Sequence, residues 1–166
     1  MTDIKLNNST LATASGSTIT LNSGVVFPAG HPVGEAQFFE SQTRVYVAAG
    51  TNSVLMSVTP TFISTSNKFL IFASIGTNQQ NIGGNLELQV EYSGTDLATY
   101  PQCMLFTTTS TVNTLRIRTQ IPIIEYLDVP ATGSVQLDIR GIATTSNFEF
   151  QDGNQRSTII IQEFKS

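Results

Sequence analysis

The chain has 166 residues, eight of them Lys or Arg and twelve Asp or Glu, which gives a formal net charge of −4. This length suits one domain, or one domain with an arm, and is long enough to bury a hydrophobic core without a metal or a disulfide. Only 12% of the residues are charged, against about 25% in a typical soluble domain, and the dispersed basic residues argue against nucleic-acid binding, which needs clustered Lys and Arg.

The first 35 residues are predicted to form an extended arm, ahead of a body at residues 36–166. Large apolar side chains are sparse in this segment, and Ser15–Leu21 is expected to be one short alternating strand. Such a segment cannot offset its own ordering entropy, so a partner subunit or another chain is expected to order it. The residues predicted to anchor the arm are Ile19, Leu21, Val25, Val26 and Phe27.

The body is predicted to contain roughly seven or eight strands, because β-branched residues are frequent and turn signals recur every 8–12 residues or so. Residues 86–92, 115–118 and 135–140 alternate apolar and polar side chains, which predicts strands with one wet face. The continuous apolar runs at 69–73 and 159–161 predict strands covered on both faces, by an opposing sheet or by another subunit. We therefore expect an all-β fold, an antiparallel β-sandwich or jelly roll with an extended N-terminal arm.

No membrane partner is expected. The longest apolar stretch, residues 69–75, is far shorter than the 18 or so residues that span a bilayer. The first residues lack the basic and apolar regions of a secretory signal.

Residues suited to catalysis or metal binding are few. His31, the only histidine, lies between two turn-forming residues and is expected to be a loop residue, and no Gly-x-Ser-x-Gly elbow is present. One histidine and one cysteine, Cys103, cannot form a conventional zinc site. Asp152-Gly153-Asn154 is too short for a calcium loop and predicts a hairpin turn.

Carboxylate pairs offer the remaining route to catalysis, because glycosidases need only two carboxyl groups. Glu87 and Glu91 share one strand face at a separation of about 13 Å, beyond the range used in glycoside hydrolysis. Pairs from different strands remain open, although solvated surface charges are the preferred interpretation. The sequence therefore predicts a protein that is not an enzyme and that needs no cofactor or metal.

Several segments resemble small β domains of tailed-bacteriophage virion proteins. Val54–Pro60 followed by Ser64–Ile71 is similar to the family stretch V-x-I-T-P … S-T-S-S-K-I-L-I, with Asn67 and Phe69 as departures. Tyr126–Thr132 resembles the segment Y-L-D-x-P, and Ser157–Phe164 resembles the last strand, S-T-I-x-x-x-E. Further similarity lies in the strand and turn at Leu86–Gly94, which lacks the family's Arg, and in the arm at Gly16–Gly24.

The resemblance implies a jelly-roll or sandwich module that forms homotrimers, without enzymatic activity and without a cofactor. Such domains occur as decoration (cement) proteins on capsid exteriors and at the ends of tail fibres. The leading hypothesis is a capsid decoration protein that clamps the major capsid protein and uses its arm as a strand added to a neighbouring sheet.

The alternative hypothesis is a tail-fibre or receptor-binding tip protein. Its contacts with host glycans would then involve loops such as Asn78–Asn81 and the Asp96–Pro101 segment, with Tyr100 as the candidate aromatic residue. A carbohydrate-active enzyme on a β scaffold is the third and least favoured class. Copy number per virion distinguishes the first two hypotheses, since decoration requires hundreds of copies and a tail position requires tens or fewer.

Overall fold

The computed structural model describes residues 2–6, 9–15, 18–21, 29–79, 84–106, 117–144, 146–151 and 155–166. These ranges contain fifteen β-strands and no helix, and their antiparallel sheets pack together, which confirms the predicted all-β sandwich. Within them, no helix is long and apolar enough to cross a membrane.

The strands nearest the N-terminus form a separate three-stranded antiparallel sheet. These strands are β1 (Thr2–Leu6), β2 (Ser9–Ser15) and β3 (Thr18–Leu21), with β2 in the middle. The sequence indicated only the last of them. The two further strands pair through main-chain hydrogen bonds, which do not depend on an alternating side-chain pattern.

The larger sheet of the body is organised around β8, a strand of twelve residues. One edge of β8 pairs with β11 along its whole length, and the other edge pairs first with β15 and then with β14. Outside these lie β4, which pairs with β15, and β5, which pairs with β14. The six strands are β4 (Pro32–Ser41), β5 (Val45–Val47), β8 (Lys68–Gln79), β11 (Ile117–Asp128), β14 (Phe148–Phe150) and β15 (Ser157–Phe164).

The smaller sheet has four strands in the order β10-β9-β13-β6. Their bounds are β6 (Thr51–Val58), β9 (Gly84–Tyr92), β10 (Thr95–Phe106) and β13 (Leu137–Ala143). The turn between β9 and β10 is Ser93-Gly94, whose φ angles of 50° and 81° suit a type I′ hairpin. A short ribbon of β7 (Thr61–Phe62) and β12 (Gly133–Ser134) completes the described strands.

The two sheets enclose one hydrophobic core. Leu86, Leu88 and Val90 of β9 are fully buried, as the alternation in residues 86–92 predicts. Opposite them, the larger sheet buries alternate residues of β8 and β15. The described part of residues 29–166 contains twelve strands, more than the seven or eight predicted, and eight of them have seven residues or more. The remaining four have two or three residues, too few for a pattern to reveal.

The larger sheet begins before the predicted boundary between arm and body. Pro32 pairs with Phe164 and Val33 pairs with Glu163 in β15. The Gly30 N–H donates to the Lys165 carbonyl at 2.6 Å. The boundary predicted at residue 35 therefore falls inside β4, and the division into an arm and a body stays a prediction for the residues before 29.

Three of the segments that resemble phage virion domains meet at the side chain of Glu163, at one end of the sandwich. Glu163 is 3% exposed. Its carboxylate accepts hydrogen bonds from the Ile63 and Ser64 N–H groups at 2.7 and 3.1 Å and from the Asn67 amide at 2.6 Å. The Asn67 carbonyl in turn accepts from the Val129 N–H at 3.1 Å. This network fixes the loop between β7 and β8 against the last strand.

Candidate functional site

The outer face of the larger sheet carries large apolar side chains that nothing in the described structure covers. In β8, Phe69, Ile71 and Ala73 point into the core, while Phe72 points outward and is 45% exposed. In β15, Ile160 points outward in the same way and is 40% exposed. The two apolar runs were predicted to be covered on both faces, by an opposing sheet or by another subunit. Among the described residues only the core face is covered, and cover of the outer face by another subunit stays a prediction.

Four outward side chains form a continuous line across four neighbouring strands. Phe38 of β4 lies opposite Ile160 of β15, Ile160 lies opposite Phe72 of β8, and Phe72 lies opposite Ile124 of β11. Phe38 and Ile124, at the two ends, are 62% and 60% exposed. We call these four residues the apolar row. At the usual strand spacing it is about 14 Å long.

Tyr126 extends this apolar surface on one side of the row. It is 46% exposed, its ring lies 5.9 Å from that of Phe164, and the Lys68 Nζ lies 5.8 Å from the ring centroid. Lys68 also forms an ion pair with Asp128 at 2.6 Å. The cation at this border is therefore already paired within the chain.

Neutral polar groups flank the other side of the row. Ser74 and Thr158 lie opposite each other in β8 and β15, and the Ser74 hydroxyl donates to the Gln120 side-chain oxygen at 3.0 Å. Glu40 lies opposite Thr158 in the same line and forms an ion pair with Arg156 at 3.1 Å. An apolar centre with hydroxyls and amides around it, and with paired charges at its borders, is the composition of a protein-contact surface.

The size of this surface is sufficient to be functional. If each large side chain offers roughly 200 Å², the apolar row and Tyr126 together expose about 500 Å² of apolar area. The largest apolar patch on a monomeric protein is typically about 300–600 Å² and often marks an interaction site. The residues of the row can bind by hydrophobic contact, and they carry no group that transfers protons or attacks a substrate.

The residues predicted to anchor the arm lie mostly beyond what the structure describes. Ile19 and Leu21 belong to β3, where the backbone alone is described. Val25, Val26 and Phe27 lie outside the described residues, as does the predicted turn at 152–154. The role of these residues stays a prediction.

The two segments suggested for glycan contact are not loops where the structure describes them. Asn78 lies in β8 and is fully buried. Asp96–Pro101 lies within β10 and pairs with β9, and the Tyr100 hydroxyl donates to the Glu125 carboxylate at 3.1 Å. Residues 80–81 lie outside the described part of the chain.

Two residues considered for catalysis, His31 and Glu91, do not lie in the same sheet. The His31 carbonyl accepts from the Lys165 N–H at 2.8 Å at the end of the larger sheet. Glu91 pairs with Arg140 at 3.2 Å across β9 and β13. Among the described residues, no three His, Cys, Asp or Glu side chains form a cluster that could hold a metal ion.

No protein-family model matches the sequence, and no curated protein matches it. Among solved structures, the chain is similar to the VP2 subviral particle of infectious bursal disease virus, with a TM-score of 0.47 and 11% identity over 93% of this chain and 42% of that chain. It is also similar to the Gx strain structure of that virus, with a TM-score of 0.44 and 12% identity over 99% of this chain and 46% of that chain.

A further similar structure is dimeric latent PorU from Porphyromonas gingivalis, with a TM-score of 0.41 and 13% identity over 94% of this chain and 14% of that chain. The chain spans less than half the length of the viral chains that it matches. At these identities and TM-scores, neither a family nor a function is assigned from the likeness.

Proposed function

We propose that the chain is a structural protein of a virion, and in particular a capsid decoration protein that binds the major capsid protein and assembles as a homotrimer. The apolar row is the observation that carries this proposal, because it offers a broad and continuous apolar surface for protein contact on the described part of the body. The resemblance of five chain segments to small virion domains of tailed bacteriophages is the reason for proposing a virion protein in particular.

The chemistry of the row favours a structural role over catalysis. A catalytic site brings titratable or nucleophilic groups together in a concave pocket, whereas the row is a line of hydrocarbon side chains on the face of a sheet. We propose that the protein acts without a cofactor and without catalysing a reaction. Binding by hydrophobic contact suits a subunit that must hold its neighbours in place.

The arm and the body have different tasks in this proposal. Residues 1–28 attach the protein to the capsid exterior, where Ile19, Leu21 and the apolar residues 25–27 supply the contact. The body positions the arm, because the chain enters the larger sheet at Pro32 beside Phe164. Attachment by an added strand needs only main-chain hydrogen bonds and a few side-chain contacts.

A deletion of residues 1–28 tests this division. We expect the shortened chain to keep its β-sheet circular dichroism and its melting temperature, because Gly30, which bonds Lys165, is retained. We expect it to lose co-sedimentation with undecorated capsids of the source virus, to which the full chain binds. A control chain with residues 2–6 alone deleted retains β3 and residues 25–27 and should still bind.

Quantitative mass spectrometry of purified virions gives the second measurement. Decoration predicts hundreds of copies of this chain per virion, in a fixed ratio to the major capsid protein. Tens of copies or fewer, recovered with the tail fraction, would instead support the tail-fibre hypothesis and overturn the proposal. Full co-sedimentation of the deleted chain would show that the arm is not the attachment element.

A further inference from the structure

We infer that the apolar row is the surface through which copies of this chain contact one another. The inference rests on the proposed function, since it assigns to named residues the contact that closes the homotrimer. Its occupant is a second copy of this chain, and the capsid protein binds elsewhere, at the arm.

The area of the surface agrees with such a contact. A stable interface of standard size takes about 800 Å² from each partner, with an apolar centre and a polar rim. The row and Tyr126 together expose about 500 Å² of apolar area, which would form the centre of such an interface. The hydroxyl and amide groups of Ser74, Thr158 and Gln120 lie where the rim would be.

The distribution of charge favours a second copy over a charged partner. The border charges form internal pairs, Lys68 with Asp128 and Glu40 with Arg156. These described charges are neutralised within the chain, which favours a neutral partner over a strongly acidic or basic one. Three such faces can meet without burying these charges against like charges, although each chain has a net charge of −4.

The exposure of the row increases towards its two ends. Its two end residues, Phe38 and Ile124, are about 60% exposed, whereas the central Ile160 and Phe72 are 40% and 45% exposed. Among the described strands, β4 and β11 are the outermost ones here, so Phe38 and Ile124 have a neighbouring strand on one side only. A homotrimer would bring three such rows together at its threefold axis, because two identical faces packed directly on each other close a dimer.

A pair of matched substitutions tests the inference. Ile124 and Ile63 are both isoleucines, exposed to 60% and 61%, and only Ile124 belongs to the row. We expect light scattering to give three times the 17.9 kDa chain mass for the wild type and for Ile63→Lys. We expect Ile124→Lys to give the mass of a single chain, because the substitution places an unpaired charge in the contact.

A second pair of substitutions controls for loss of the fold. Threonine suits strands, so Phe38→Thr removes apolar area from the row without disturbing β4, and Tyr46→Thr makes a comparable change elsewhere on the same sheet. We expect Phe38→Thr to weaken association at least tenfold and Tyr46→Thr to leave it unchanged. Circular dichroism should show the same β-sheet signal for all four variants.

The outcomes separate the inference from the proposed function. A trimer that persists in both Ile124→Lys and Phe38→Thr overturns the assignment of the row and leaves the decoration protein standing. A monomeric wild type whose capsid binding is abolished by Ile124→Lys shows that the capsid protein occupies the row, and also overturns it. If the row variants dissociate but purified virions contain no copies of the chain, the inference is supported and the proposed function is wrong.

Discussion

Replacement of Glu163 should destabilise the fold more than the loss of any surface ion pair. Glu163 is 3% exposed and accepts three hydrogen bonds, two from backbone N–H groups and one from the Asn67 amide. In Glu163→Ala all three donors lose their acceptor. A lost hydrogen bond to a charged group costs about 1.5–3 kcal/mol, and the loop that carries these donors is partly open to water.

Water can partly replace the lost acceptor because the loop is partly exposed, and this reduces the expected loss of stability. We take about 1 kcal/mol for each donor, so Glu163→Ala should lower the free energy of unfolding by about 3 kcal/mol. Glu163→Gln keeps the shape and one acceptor oxygen, and should cost about 1–2 kcal/mol. The matched control is Asp128→Ala, which removes an 82% exposed partner of Lys68 and should cost less than about 1 kcal/mol.

Urea denaturation followed by circular dichroism measures these differences. All variants should be compared at one protein concentration, since association contributes to apparent stability. The order Glu163→Ala, Glu163→Gln, Asp128→Ala, from largest loss to smallest, is the expected result. Equal losses for Glu163→Ala and Asp128→Ala would refute the reasoning that a buried carboxylate holds the loop.

Four further predictions concern the core, the backbone and catalysis. Gly141→Ala should cost about 1–2 kcal/mol in the same urea assay, because the added Cβ would lie 3.1 Å from Leu55 and 3.2 Å from Phe150. Gly94→Ala adds no contact but keeps a φ of +81°, and should cost about 1 kcal/mol or less. Leu88→Ala empties a fully buried site and should cost about 2–5 kcal/mol. Incubation with host polysaccharide should release no reducing ends, and release that a single Asp or Glu substitution abolishes would contradict the proposal that the protein is not an enzyme.

The sequence predicts the strands that alternate apolar and polar side chains, because burial of one face imposes that pattern. Residues 86–92 follow it, and Ser93-Gly94 forms the turn that ends the strand. The same reasoning misses β10, where Asp96–Pro101 was interpreted as a loop. A register shift between Tyr100 and Met104 accommodates Pro101 on a strand at the edge of the sheet.

The candidate site could be predicted only in part. The runs at 69–73 and 159–161 include Phe72 and Ile160, and the suggestion of cover by another subunit points to their exposed face. Phe38 and Ile124 join them through the pairing of strands that are distant in the sequence. Registers of this kind depend on tertiary packing, and local composition does not encode them.

The position of β15 in the sheet determines when during synthesis the apolar row can form. β15 inserts between β4 and β8, so the larger sheet stays open until residues 157–164 have left the ribosome. Non-local pairing of this kind is slow to form. A nascent chain that lacks β15 therefore cannot present all four side chains in line. If subunits assemble through this face, only chains that have completed the larger sheet present the whole row. Incomplete chains would then not be incorporated into the particle.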